Sequence, residues 1–291
     1  MKAVRFVIPK TGGNSFRLQI DDGAWFYDTI HYHPEHQITY IEKGEGTSFI
    51  GNHVERFQPG DVFFIGKNVP HVTKCDETYY HPDSNLEVLS ISLFFKDETF
   101  GNQFFEIPEM LHIKHLLDKA SMGIKIDGPD KNDLIEWIKQ CPDADGFKRF
   151  QLLLSILNTF ANSKDLRTLS SVSYRTPTRE SDNERINVVF NFLSKNFRNE
   201  VNLGQLADVA NMTPNSFCRY FKQRTGKAYS EFLNDMRIEY AGKLIAGSNE
   251  SFGNIAIECG YNSISYFNRQ FKRINGVSPL QYRKKIKGGS V

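Results

Sequence analysis

The chain has little cysteine and little tryptophan, four and two in 291 residues. Cys75, Cys141, Cys218 and Cys259 lie far apart and form no CxxC pair. That spacing excludes a CxxC-type metal site, and a reduced, cytosolic compartment is expected. Long apolar runs are also missing: no stretch approaches the roughly 20 residues that a membrane-spanning helix needs. Met1, Lys2, Ala3, Val4 and Arg5 lead into no apolar h-region, so no secretory signal is expected. With 40% apolar and 24% charged residues the composition is globular rather than disordered. The length is comfortable for two domains.

The net charge of +2 conceals an asymmetry. Residues 1–163 carry 16 Lys+Arg against 23 Asp+Glu, a net of −7, while residues 164–291 carry 20 against 11, a net of +9. An acidic front joined to a basic back suggests that only the back half meets a polyanion.

The first part, to about Lys96, reads as β-structure. Short apolar runs alternate with the turn signals Gly12-Gly13-Asn14, Asp21-Asp22-Gly23, Gly44-Glu45-Gly46, Gly51-Asn52 and Pro59-Gly60-Asp61. The run from Glu87 to Phe95 reads as a buried strand, and regular short strands favour a sandwich or small barrel. Helical spacing follows over 102–120, 129–141 and 147–160. The last has Phe147, Phe150, Leu153, Leu154, Leu157 and Phe160 in a near three-and-four repeat. That stripe suits packing onto the β-unit or a dimer interface. Residues 163–183 are polar and without sustained periodicity, as in an interdomain linker. From Glu184 the pattern is helical until a tail after Tyr282 that reads as loose and basic. The expected domains are 1–163, a linker over 164–183, and 184–291.

The basic half contains an internal repeat. One copy has Leu206, Ala207, Ala210 and Met212, then Phe217, Arg219, Phe221, Lys222 and Gly226. The other has Ile255, Ala256, Cys259 and Tyr261, then Phe267, Arg269, Phe271, Lys272 and Gly276. The offset is 49 residues before the turn and 50 after it. Each copy reads as helix, tight turn, helix. Asn202, Thr213 and Ser263 are candidate N-caps, with Gly226 and Gly276 as helix ends. A helix over about 229–246 connects the copies. In such a motif the second helix enters the major groove. The spacing makes Phe217, Phe221, Phe267 and Phe271 core residues. Arg219 and Arg269 point away from that core, where they suit guanine or phosphate contact. Lys222 and Lys272 suit phosphate contact or a solvated face.

The stretch 185–285 resembles the AraC/XylS family of transcription regulators. Ile255-Ala256, Cys259-Gly260-Tyr261, Ser263, Tyr266-Phe267, Arg269, Phe271-Lys272, Gly276, Ser278-Pro279 and Tyr282-Arg283 match its second-module signature. Arg237-Ile238, Ala241 and Leu244 match its linker helix. The resemblance implies base reading by Asn215, Ser216, Cys218 and Arg219, and by Ile264, Ser265, Asn268 and Arg269. Gly204 stands where that family usually has a better helix former, at a cost of about 1 kcal/mol.

In the acidic half, His31-x-His33-x-x-x-Gln37 followed by Gly44 resembles the first motif of cupin barrels, with Gln at the usual Glu. Pro59-Gly60-Asp61 and Val69-Pro70-His71 resemble a loose second motif, with Cys75 at the usual Asn. Imidazoles two apart on a strand share a face, so His31 and His33 could chelate one ion with His71. The alternative is a ligand pocket of Trp25, Tyr27, His31, His33, Gln37, Tyr40 and His71 at a barrel mouth. The resulting expectation is multidomain β + α: an N-terminal cupin-like β-barrel with following helices, then an all-α domain of two helix-turn-helix modules. Its function would be a cytoplasmic, homodimeric transcription regulator, with double-stranded promoter DNA, a small-molecule effector such as a sugar, and RNA polymerase as partners. No catalytic residue, metal or other cofactor is expected, and the competing reading is a metal-dependent cupin oxygenase or isomerase fused to a DNA-binding domain.

Overall fold

A computed structural model describes residues 15–101, 103–170 and 180–287. The Gly12-Gly13-Asn14 turn lies outside the described residues. The chain divides into two compact units, the first holding most of the chain up to Asn183 and the second holding Glu184 onward together with the short segment Val54–Arg56.

The strands are β1 (Arg17–Gly23), β2 (His36–Lys43), β3 (Gly46–Ile50), β4 (His53–Phe57), β5 (Val62–Ile65), β6 (His71–Cys75), β7 (Val88–Phe95), β8 (Ile124–Ile126) and β9 (Leu166–Thr168). They form a six-stranded sheet in the order β1-β7-β2-β5-β8-β9 and a three-stranded sheet in the order β4-β3-β6. Strand alternation divides the apolar side chains between two cores. Ile38 and Tyr40 of β2, with Val62 and Phe64 of β5, enter the larger core. Ile41, Phe63 and Ile65 join a second core with Ile50 and Phe57.

Three helices, α1 (Leu111–Ala120), α2 (Asp130–Gln140) and α3 (Gly146–Asn162), contribute to the larger core. The α3 stripe is thereby largely accounted for. Leu153, Leu157 and Phe160 are buried in the chain's own core, Phe150 and Leu154 are partly buried, and Phe147 is 73% exposed.

The expected linker over 164–183 begins as structure instead. Strand β9 pairs antiparallel with β8, Leu169 is buried in the second core, and the Ser170 hydroxyl donates to Asn52 Oδ1 at 2.8 Å. Its polar sequence concealed this because an edge strand of three residues leaves little periodicity. Residues 171–179 lie outside the described residues.

The second unit is helical: α4 (Glu180–Asn196), α5 (Leu203–Val209), α6 (Pro214–Thr225), α7 (Tyr229–Gly247), α8 (Phe252–Glu258), α9 (Ile264–Asn275) and α10 (Pro279–Lys287). The caps decide the boundaries. Asn202 and Gln205 form a reciprocal capping box on α5, and Thr213 caps α6 with Pro214 in its first turn. Ser251 and Ser263 cap α8 and α9. Gly226 and Gly276 end the second helix of each module at φ of 70° and 74°. Between the helices of each module one residue is left-handed, Asn211 at φ 55° and Gly260 at φ 81°. At Gly260 a Cβ would lie 2.7 Å from the Arg198 carbonyl oxygen, so glycine is required there.

The tail after Tyr282 is not loose as far as Lys287, and residues 288–291 lie outside the described residues. It continues α10, whose Arg283 donates to the Glu250 carbonyl at 2.7 Å and lies 4.1 Å over the Phe252 ring. Tyr282 packs edge-on against Phe271. These partners are distant in sequence, so the basic composition alone gave the wrong expectation.

Candidate functional sites: two recognition helices and a buried histidine cluster

Helices α6 and α9 have the same construction. Phe217 and Phe221, or Phe267 and Phe271, are fully buried and fix which face turns outward. On α6, Asn215, Arg219 and Lys222 are exposed, while Ser216 and Cys218 are partly buried. The Ser216 hydroxyl accepts from Thr213 Oγ1 at 3.0 Å, so it is occupied by the cap. On α9, Ile264, Ser265, Asn268, Arg269 and Lys272 are all exposed. Each helix thus presents an arginine midway and lysine near its C-terminal end, where positive charge also complements the helix dipole. An exposed helix face with polar residues toward the N-terminus and cations behind has the chemistry to meet base edges and phosphates.

Sequence reasoning passed over Tyr266. It is 37% exposed on α9, and the Arg269 guanidinium lies 5.1 Å from its ring centroid. The signal available was the Tyr266-Phe267 pair in the signature, of which the spacing assigns only Phe267 to the core.

The seven residues expected to line a pocket in the β-half do not all converge. His31, His33 and His71 do, with ligand-capable atoms all within 4.8 Å of one another. A β-bridge between His31 and His71 brings the two segments together. Gln37 joins them: its Oε1 lies 3.0 Å from His33 Nε2 and 2.9 Å from His71 Nε2. Tyr27, half exposed, meets the His31 ring edge-on at 5.2 Å. Tyr40 is on the opposite face of the sheet, buried in the larger core beneath Lys139. Three residues separate it from Gln37, and an odd separation on a strand reverses the face. Trp25 is half exposed and packs on Tyr80 at 5.3 Å. Cys75, at the usual Asn of the motif, is a core thiol that accepts from the Phe26 amide, and burial pushes it up to about 11.

Each imidazole of the cluster sets its Nδ1 against a backbone carbonyl: His31 on Thr29, His33 on Glu35 and His71 on Val69, at 2.9, 3.1 and 2.8 Å. Burial lowers His31 and His33 to about 4 and His71 well below its ordinary value, so all three are neutral at pH 7. A neutral imidazole carries one N–H; with it on Nδ1 toward the carbonyl, as ligating histidines are held, Nε2 of His33 and of His71 turns a lone pair toward Gln37 Oε1. Three imidazoles suit zinc, copper, nickel or iron.

A helix-turn-helix domain model matches residues 206–285, and a cupin domain model matches residues 18–79. The HTH-type transcriptional activator RhaR of Mannheimia succiniciproducens is 24% identical over 277 residues, covering 88% of this chain and 87% of that protein. The raffinose operon transcriptional regulatory protein RafR of Pediococcus pentosaceus is 25% identical over 263 residues, covering 86% and 84%. An uncharacterized HTH-type transcriptional regulator of Haemophilus influenzae is 34% identical over 103 residues, 35% of each chain. The chain thus carries an AraC-type helix-turn-helix domain and a cupin domain, and it is similar over most of its length to transcription regulators. The helix-turn-helix match spans the repeat, and all three histidines of the cluster lie inside the cupin match. Among the described residues no helix is long and apolar enough to cross a membrane.

Proposed function

We propose that the regulator reads promoter DNA with both recognition helices and that its cupin-like domain takes a small-molecule effector such as a sugar. The carrying observation is the pair of capped helices with buried phenylalanines inward and exposed arginines outward. Asn215, Arg219, Ile264, Ser265, Asn268 and Arg269 face bases, with Ser216 and Cys218 at the margin. Lys222 and Lys272 face phosphates. The sugar class is supported by the likeness to RafR, a raffinose operon regulator by name, which extends over most of both chains. His33 and His71 are buried, so an effector would approach from the Tyr27 and His31 side. It can act only by binding two arrangements of the protein unequally. Homodimerisation, contact with RNA polymerase and a cytoplasmic location belong to the same proposal. The exposed Phe147 is an apolar side chain that a dimer interface would cover.

The test is thermal stabilisation of the full chain by a panel of mono- and disaccharides, followed by DNA affinity with each stabilising compound. A compound that raises the melting temperature and changes DNA affinity supports the sensor reading. No stabilisation by any saccharide contradicts the sugar class. The converging, neutral imidazoles favour a second reading, in which His31, His33 and His71 hold a divalent transition-metal ion as a structural or sensed ligand. Elemental analysis of the chain prepared without chelator would then find about one ion per chain, absent from the His31→Ala/His33→Ala variant. Metal-free protein that takes up neither zinc nor nickel on titration contradicts it.

A further inference from the structure

Arg219 and Arg269 occupy the same register, each two residues after the first buried phenylalanine of its helix. They are held differently. Arg269 lies over the Tyr266 ring, and Tyr266 is itself tied down. Its hydroxyl accepts from Asn234 Nδ2 at 3.1 Å. Asn234 belongs to the connecting helix α7 and is buried. Its Nδ2 also donates to the Ser230 carbonyl at 2.7 Å, and its Oδ1 accepts from the Tyr261 hydroxyl at 2.9 Å. Tyr261 is a buried residue of the turn between α8 and α9. One side chain of the connecting helix thus fixes both the turn and the first turn of the recognition helix.

Module one has Met212 and Ser216 where module two has Tyr261 and Tyr266. Neither supplies a ring. Among the described residues Arg219 has no hydrogen bond, ion pair or ring partner.

We infer that Asn234 and Tyr266 are positioning residues that pre-orient Arg269 for a base contact, making module two the pre-organised reader and module one the adaptable one. The inference rests on the reading that Arg269 contacts a base. A guanidinium stacked through its π-face keeps its N–H edge free for a bidentate acceptor pair, so the ring orders the side chain without consuming its donors. A side chain ordered beforehand loses less freedom on docking.

The test uses the full chain and the duplex it selects from a random-sequence pool, with an unrelated duplex as control. Tyr266→Leu weakens binding to the selected duplex by about three- to fivefold. Binding to the control duplex is unchanged. In an Arg269→Ala background Tyr266→Leu adds no further loss, because its effect passes through the arginine. Tyr266→Phe keeps the ring but loses the Asn234 bond, and gives a smaller loss, which also serves if Tyr266→Leu is unstable. Losses from Tyr266→Leu and Arg269→Ala that multiply, or an equal loss on both duplexes, overturn the inference. Wild-type binding by Tyr266→Phe overturns the part assigned to Asn234. If Arg269→Ala binds the selected duplex normally, it is the base-contact reading that fails, and this inference with it.

Discussion

The two helix-turn-helix modules share a frame and differ in how their reading side chains are held. Both use a capped first helix, a left-handed residue in the turn, a second helix anchored by two fully buried phenylalanines, and a glycine end. Yet Arg269 of α9 lies over a ring tethered to the connecting helix, whereas Arg219 of α6 has no ring partner among the described residues. Duplication preserves what the core requires, and the outward positions are free to diverge. Ser216 in module one serves its own helix cap, while Tyr266 in module two serves the neighbouring arginine.

The largest test of the shared frame is at the phenylalanines. Phe217→Ala and Phe267→Ala should each cost about 3–5 kcal/mol in urea unfolding of the second unit. A cost below about 1 kcal/mol in one module only would mean that the frames are not equivalent. The caps come next. Asn202→Ala and Ser251→Ala should each cost about 1 kcal/mol by the same measurement. Asn202 should cost more, because it loses a reciprocal box rather than a single bond.

A gain-of-function change then probes the difference itself. Ser216→Tyr places a ring in module one at the Tyr266 position but without the Asn234 tether. It should recover only part of the aromatic contribution, under about 1 kcal/mol in DNA affinity. A full gain equal to that of Tyr266 would make the tether irrelevant. The smallest effect concerns the paired glycines at the second position of α5 and α8. At Gly253 a Cβ meets nothing closer than 3.7 Å, whereas at Gly204 it lies 3.2 Å from the capping Asn202 Oδ1. Gly253→Ala should therefore stabilise by roughly 0.5–1 kcal/mol, and Gly204→Ala by less. The helix cost expected of Gly204 is thus partly offset by the room it leaves for the cap.

Much of this frame was legible because its signals are local. Asn202, Thr213 and Ser263 sit beside the residues they cap, and the phenylalanines four apart define one helix face. The two-sheet half was legible as β-structure, but residue type does not fix the face a side chain takes, and strand parity sends Tyr40 to the other face. The histidine cluster was legible because His31 and His33 share a face and His71 lies on a later strand. Contacts between distant segments were not legible. Asn234 meets Tyr266 across 32 residues, and Arg283 meets Glu250 across 33. Nothing in the intervening sequence marks either pair. Strand β9 was hidden for a related reason, since it pairs with a three-residue strand some 40 residues earlier.

The most direct test is to select binding duplexes from a random pool with the wild type, Arg219→Ala and Arg269→Ala, and to compare the sequences recovered. The account predicts two short conserved blocks about one helical turn, roughly 10 base pairs, apart in the wild-type set. Arg219→Ala should relax one block and Arg269→Ala the other, with the second block the sharper in the wild type. Identical sequences from all three proteins, with affinity lowered uniformly and a shallower salt dependence, would contradict it and mark both arginines as phosphate contacts.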